Sequence, residues 1–273
     1  MGLICPSYSK VNIGLKVLSQ RDDGYHNINT IFQELNFGDS IDIEKRDHGF
    51  KIIANVDWIP TNKSNICYKA YTEIKKEFSE VKGIHIKIDK KIPIGSGLGG
   101  GSANAAALLK GIKNIYKLEV TESKLEEIGG EVGADVPFFI RGKTQLGEGI
   151  GDKLTQLPKA IMGTYLLVIP KISIRTEWAY SVIKNRLNNQ NKNAKFSSFS
   201  NEDYSSLQIF ENDFEQIVIP AYPEIGAIKQ KLLELGARFA SLSGSGSTVY
   251  GIFDDDANID KAFSHFFPRH KTF

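Results

Sequence analysis

The stretch Pro93-Ile94-Gly95-Ser96-Gly97-Leu98-Gly99-Gly100-Gly101-Ser102-Ala103-Asn104-Ala105-Ala106 constrains this chain more than any other. Five of the seven residues from Gly95 to Gly101 are glycine. Before the run, Ile84, Ile86 and Ile88 alternate with His85 and Lys87, the period of a strand. After it, an alanine- and leucine-rich segment reaches Tyr116 and has high helix propensity. A glycine run between strand and helix lets the backbone approach a ligand without side chains in the way. Its N–H groups, followed by a helix N-terminus, form an anion site. Ser102 stands where a hydroxyl meets a phosphate or a phosphate-bound Mg2+. A linker is the bland alternative, and the flanking strand and helix argue against it.

Other glycine motifs fit poorly. Gly95-x-Gly97-x-x-Gly100 matches the dinucleotide fingerprint in letters, but that motif needs a second strand ending in an acid about 20 residues on. Glu119 lies near that distance, yet the chain continues there as the helix expected over 121–132. The Gly-Lys-Ser/Thr of a P-loop is absent, as are the His-Arg-Asp and Asp-Phe-Gly of protein kinases.

Composition narrows the class. With 41% hydrophobic and 24% charged residues, the 273-residue chain has the profile of a soluble enzyme of one large or two ordinary domains. A net charge of +2 gives no electrostatic reason to expect a nucleic acid or an anionic membrane as partner. No stretch reaches the roughly 20 apolar residues of a membrane span, and Gly2-Leu3-Ile4-Cys5-Pro6 lacks the look of a secretory signal. Cys5 and Cys67 are far apart, which suggests a reducing, cytoplasmic setting. The five histidines form no metal-binding spacing, so no protein-held metal is expected.

Val11, Ile13, Leu15 and Val17 alternate with Lys10, Asn12, Gly14 and Lys16, a strand whose polar face carries Lys10 and Asn12. Ile31–Phe37, Ser40–Glu44 and Phe50–Ala54 are expected as three further strands, and Asn65–Phe78 as an amphipathic helix. Gly133–Phe139 (GADVPFF) reads as a turn, since Pro137 disfavours helical geometry at Val136. Tyr165–Ile169 is expected as a strand, Glu177–Leu187 as a helix, and the polar 188–206 as a surface loop. Ile225–Leu235 and Ala257–Phe267 read as helices, with strands at Phe239–Leu242 and Thr248–Phe253 about a turn at Ser243–Ser247. A composition shift near 150–160 marks a seam between two α+β halves.

The glycine run resembles the second motif of the GHMP kinases (galactokinase, homoserine kinase, mevalonate kinase, phosphomevalonate kinase). Ser9–Val17 (SKVNIGLKV), Asp23–Gln33 (DGYHNINTIFQ), Gly133–Phe139 and Ser241–Phe253 (SLSGSGSTVYGIF) follow the family order and span nearly the whole chain. DGYH so close behind Lys10-x-Asn12 points to the branch acting on a cytidine-diphosphate-linked methylerythritol. The resemblance implies a two-domain α+β fold. Residues 1–155 would form the ATP-binding domain, similar to ribosomal protein S5 domain 2. Residues 156–273 would form a ferredoxin-like domain, with the active site in the cleft between them. It further implies transfer of the γ-phosphoryl group of ATP, with Mg2+, to the 2-hydroxyl of that small-molecule substrate of the non-mevalonate isoprenoid pathway. Oligomeric state does not follow from it.

Residue by residue, Asp135 matches the family's catalytic aspartate and Lys10 the lysine beside it. From the residues alone, a turn aspartate and a solvated strand lysine are equally open. Pro93, Gly95, Ser96, Gly97, Leu98, Gly99, Gly100, Gly101 and Ser102 match the nucleotide loop. Asn65 resembles a residue near the adenine, or else simply caps a helix. Asn12 resembles the contact to the erythritol hydroxyls; Tyr25 and His26 match residues that hold the cytidine, with Tyr180 as a second stacking wall or an ordinary helix aromatic. Ser9 and Val11 depart from the Ala and Ile common in the family, without touching a proposed catalytic atom. Another GHMP kinase, or a binding protein that kept the fold without the chemistry, remains the competing expectation.

Overall fold

Alternation in the first fifty residues becomes two long strands, β1 (Leu3–Gln20) and β2 (His26–Arg46), followed by β3 (Gly49–Ala54). The computed structural model describes residues 2–187 and 207–273, so the polar 188–206 stretch lies outside the described residues. Ile31–Phe37 and Ser40–Glu44, expected as separate strands, are one continuous β2. Gly38, which reads as a break, instead answers a close approach: a Cβ there would lie 2.7 Å from Tyr8 Cα. β1 also departs from simple alternation, because Ser9 through Leu15 are buried on both faces. Lys10 is 5% exposed, which excludes a solvated strand lysine.

The chain forms two compact units, each from three stretches. The first comprises Met1–Lys10, Glu34–Ile94 and Gly99–Gly142. Here α1 (Ile66–Glu77) leads into β4 (Gly83–Asp89), and α2 (Gly100–Tyr116), α3 (Glu122–Val132) and α4 (Val136–Arg141) follow. β4 runs parallel to β3 and antiparallel to β2, with Ile41 opposite Ile88 and Ile43 opposite Ile86. This puts Ile41, Ile43, Ile84, Ile86 and Ile88 on one wholly buried face. The small residues of α2 let it approach closely; at Gly111 a Cβ would run into Ile43.

Asn65 and Thr121 accept backbone hydrogen bonds as N-caps of α1 and α3. GADVPFF is a turn only as far as Asp135. Val136 opens α4, contrary to the expectation from Pro137, because a proline in the first turn loses no helical hydrogen bond.

The second unit comprises Val11–Gln33, Gly95–Leu98 and Lys143–Phe273. The first part of β2 pairs with β5 (Thr144–Glu148), and β5 with β6 (Lys153–Gln156). Neither short strand was evident in the sequence. Next come β7 (Thr164–Ile169), α5 (Thr176–Leu187), a 3-10 turn at Leu207–Ile209, α6 (Glu215–Ala221) and α7 (Pro223–Glu234). β8 (Phe239–Leu242), β9 (Val249–Phe253), α8 (Asp256–Phe266) and β10 (Lys271–Thr272) complete the chain. An antiparallel sheet in the order β10-β7-β9-β8 packs with helices about Val168, Phe214, Ile228, Leu232, Val249 and Phe253. Leu15, Val17 and Ile28 join this core from β1 and β2. Cys5 and Cys67 are free and buried. Among the described residues no helix is long and apolar enough to cross a membrane, and no cluster of three metal-ligating side chains occurs.

Candidate active site

In the first unit the site centres on the start of α2. Gly99 occupies the N-cap position in left-handed geometry (φ 72°), and no side chain caps the helix. α1, α3 and α8 carry a side-chain cap, whereas α4, α6 and α7 also lack one, and the left-handed glycine at the N-cap is what sets α2 apart. The partial positive charge of the first turn of α2 is thus left for an external anion. Glycine is required at 99 twice over: φ is positive, and a Cβ would lie 2.6 Å from the Phe139 ring and 3.3 Å from Lys10 Cγ. Gly95 and Gly101 have a different use, since a Cβ at Gly95 would meet nothing within 4 Å and at Gly101 only Ile66, 3.8 Å away. Each of the two positions faces open space.

The stem of Lys10 therefore runs beside Gly99, and its ammonium is within electrostatic reach of Asp135, about 125 residues along the chain. Burial pushes the Lys10 ammonium below the ordinary lysine range, and the Asp135 carboxylate pulls it back up. Asp135 sits at the N-cap position of α4, half-buried, and makes no capping bond to its own helix. Asp135→Asn should therefore lower the Lys10 pKa further, since it removes the attraction and leaves the burial. A 15N-lysine NMR titration checks this; an unmoved or raised Lys10 pKa would rule the pairing out.

Beneath the loop, Asp39 gathers four donors. Its Oδ1 accepts from the backbone N–H of Lys91 (2.7 Å) and Ile92 (2.8 Å). Its Oδ2 accepts from Asn104 Nδ2 (2.9 Å) and pairs with the Lys90 ammonium. Asn104 Nδ2 also donates to Ser7 Oγ at 2.8 Å. The network ties the strand before the loop to the helix after it. The same network crowds Gly100, where a Cβ would lie 2.9 Å from Lys90 Nζ and 2.8 Å from Ile92 Cγ2.

Asn65 caps α1 through Cys67 N–H and donates to the Pro60 carbonyl at 2.7 Å. The helix-cap alternative is thus realised, and beside it a cavity of about 420 Å3 is lined by Lys63, Asn65, Tyr68 and Lys69.

In the second unit, the first half of the loop lies against the β8–β9 turn. Ser243 Oγ donates to the Gly97 carbonyl at 3.0 Å, and Thr248 N–H to the Ser96 carbonyl at 3.1 Å. Ser96 and Leu98 are buried. Asp23-Gly24-Tyr25-His26 turns β1 into β2: Tyr25 N–H donates to Asp23 Oδ1, and Arg21 N–H to the Tyr25 carbonyl. The turn holds the Tyr25 ring outward, 61% exposed. His26 is turned in, stacked on Tyr180 with ring centroids 4.9 Å apart, and Tyr180 meets the Phe214 edge. Burial, aided by Lys184, holds the His26 imidazolium below the usual histidine range. His26 Nε2 is buried without a hydrogen-bond partner among the described residues. Asn12 Nδ2 donates to Thr30 Oγ1 at 3.0 Å, and its carbonyl accepts from Tyr250 Oη.

Asp39, Lys90 and Asn104 escaped the sequence reading. The one signal available was a polar residue inside an apolar run: Asn104 amid alanines, and Asp39 within β2.

The fold and the uncapped, glycine-opened helix start define a GHMP kinase. The family description for the GHMP kinases N terminal domain matches residues 65–143, and that for the GHMP kinases C terminal matches 188–270. More narrowly, the chain belongs to the 4-diphosphocytidyl-2-C-methyl-D-erythritol kinase family. It is 39% identical over 260 residues to the protein of that name from Acetivibrio thermocellus, covering 94% of this chain and 92% of the relative. The Geobacter sulfurreducens relative is 38% identical, covering 91% and 88%. A crystal structure of 4-(cytidine 5'-diphospho)-2C-methyl-D-erythritol kinase matches with a TM-score of 0.79 at 26% identity, over 100% of this chain and 97% of that one. A homoserine kinase from Cytophaga hutchinsonii (TM-score 0.69, 16% identity, covering 100% and 93%) shares the fold.

Proposed function

We propose that the chain transfers the γ-phosphoryl group of ATP to the 2-hydroxyl of 4-diphosphocytidyl-2-C-methyl-D-erythritol. The observation that carries this is the approach of a buried lysine and an aspartate beside Gly99, at a helix start with no cap of its own. Asp135 accepts the hydroxyl proton as that oxygen attacks the γ-phosphorus and the bond to the ADP oxygen breaks. Lys10 meets charge building on the transferring oxygens. The N–H groups opening α2 and the Ser102 hydroxyl hold the phosphates. Mg2+ bound to the phosphates would neutralise part of their charge; with no cluster of three metal-ligating side chains among the described residues, Ser102 and Asp135 are the side chains here that could reach such an ion, and phosphate and water would supply its other ligands. The cavity at Asn65 is assigned to the base of ATP.

Tyr25 and His26 are assigned to the cytosine, Tyr25 by stacking and His26 by its unpartnered Nε2, with Tyr180 backing the imidazole. Asn12 is assigned to the erythritol hydroxyls.

Activity with ATP against a panel of the cytidyl compound, homoserine, mevalonate and galactose tests this assignment. Phosphorylation of the cytidyl compound alone is expected; phosphorylation of another member in its place would overturn the assignment. Tyr25→Ala and His26→Ala should each raise KM for the cytidyl substrate about tenfold or more, the scale of one lost buried contact. KM for ATP should stay within about twofold. Equal rises for both substrates would remove the cytosine role.

A further inference from the structure

We propose that Asn212 is a positioning residue for the glycine loop, acting through the β8–β9 turn. This rests on the reading that the loop holds the phosphates of ATP. Residues 211–213 are anchored along β1: Leu15 N–H donates to the Glu211 carbonyl (2.9 Å), and Asp213 N–H to the Leu15 carbonyl (2.8 Å). Asp213 Oδ2 accepts from Val17 N–H at 2.8 Å, and Lys16 pairs with both Glu211 and Asp213.

From this fixed base Asn212, 2% exposed, spends both amide protons on the turn. Its Nδ2 donates to the Leu242 carbonyl at 2.8 Å and to the Gly244 carbonyl at 2.9 Å. Its Oδ1 accepts from Phe214 N–H at 3.0 Å, just before α6. Glu215 holds the same turn from Leu242 N–H and Ser241 Oγ, each at 2.9 Å.

The turn has no slack against the loop. A Cβ at Gly97 would run into the Ser243 carbonyl oxygen and lie 3.0 Å from that of Gly246. With Ser243 bonded to Gly97 and Thr248 to Ser96, a shift of the turn must move the loop. Asparagine is the residue that fits. It supplies two donors to two carbonyls and one acceptor to an N–H in a buried place. Aspartate has the same shape and keeps the bond to Phe214 N–H, but turns an acceptor toward both carbonyls.

The test is steady-state kinetics of Asn212→Asp, with urea unfolding to confirm that each variant is folded. KM for ATP should rise roughly ten- to a hundredfold, the cost of a misplacement near one ångström. KM for the cytidyl substrate should stay within about twofold, a split that general loosening of the fold would not produce. Glu234→Gln, at the exposed end of α7 and outside both the anchor and the turn, should change neither constant. Should Asn212→Asp not fold, Asn212→Ser keeps an oxygen for Phe214 N–H and drops the double grip, and carries the same expectation. Equal changes for both substrates, or none for ATP, would overturn the role of Asn212. Gly97→Ala separates the two readings. If it weakens ATP while the Asn212 variants do not, only the positioning role falls. If it leaves KM for ATP unchanged, the assignment of the loop falls.

Discussion

Lys10→Met and Asp135→Asn should each lower kcat by at least about a hundredfold, the scale of a lost general base or electrostatic group. Both should leave the protein folded. Methionine fills the channel beside Gly99 and Phe139 without the charge, so the packing of that stem is kept. Asp135 is half-buried and caps nothing, so asparagine keeps the start of α4 intact, and the loss of a counter-charge to the buried Lys10 should lower stability without unfolding the protein. ADP release measured with saturating substrates gives the rates, and circular dichroism reports the fold. Near-normal turnover in both variants would show that the ammonium and carboxylate are structural neighbours without a part in the chemistry.

Asp39→Ala should destabilise the protein by about 3–5 kcal/mol, as expected when one partner of a buried ion pair is removed. The loss has three sources. The Lys90 ammonium, on a side chain 4% exposed, would be buried without its counter-charge. The N–H groups of Lys91 and Ile92 would lose their acceptor, and Asn104 one of its two. Urea unfolding gives the value. The double variant Asp39→Ala, Lys90→Met should recover a large part of it, because the stranded charge goes with its partner. A loss under about 1 kcal/mol, or a double variant no more stable than the single, would remove the pair from the support of the loop.

What the sequence made legible was local. The glycine run between strand and helix, the Asn65 and Thr121 helix starts and the alternation of β1 each follow from neighbours in the chain. β2 is continuous where the sequence pattern divides at residues 38 and 39, and the approach of Tyr8 accounts for the glycine there. Pro137 disfavours helical geometry in the residue before it, but its place in the first turn of α4 outweighs that. β5 and β6 are short, and their pattern is interrupted by Gly147 and Gly149, so periodicity had little to act on. α6 carries Pro220 within it and so did not read as a helix. Lys10 and Asp135 were legible only through family resemblance, since nothing in the spacing says that they approach. Asp39 and Asn212 left weaker traces still, because their partners lie 51–65 and 30–32 residues away. A hydrogen bond over such a span imposes no period on the chain.

The interleaving of the two units limits how evolution can recombine this gene. A fragment beginning at residue 143 would lack Val11–Gln33 and Gly95–Leu98, which belong to the second unit. It would leave β5 without Ile31 and Phe32 alongside, an open strand edge prone to aggregate, and the core without Leu15, Val17 and Ile28. The later half is thus no transferable module: exchange between paralogues at one crossover point would carry mismatched core surfaces, and successful chimaeras should keep Val11–Gln33 with the C-terminal sheet whose core it joins.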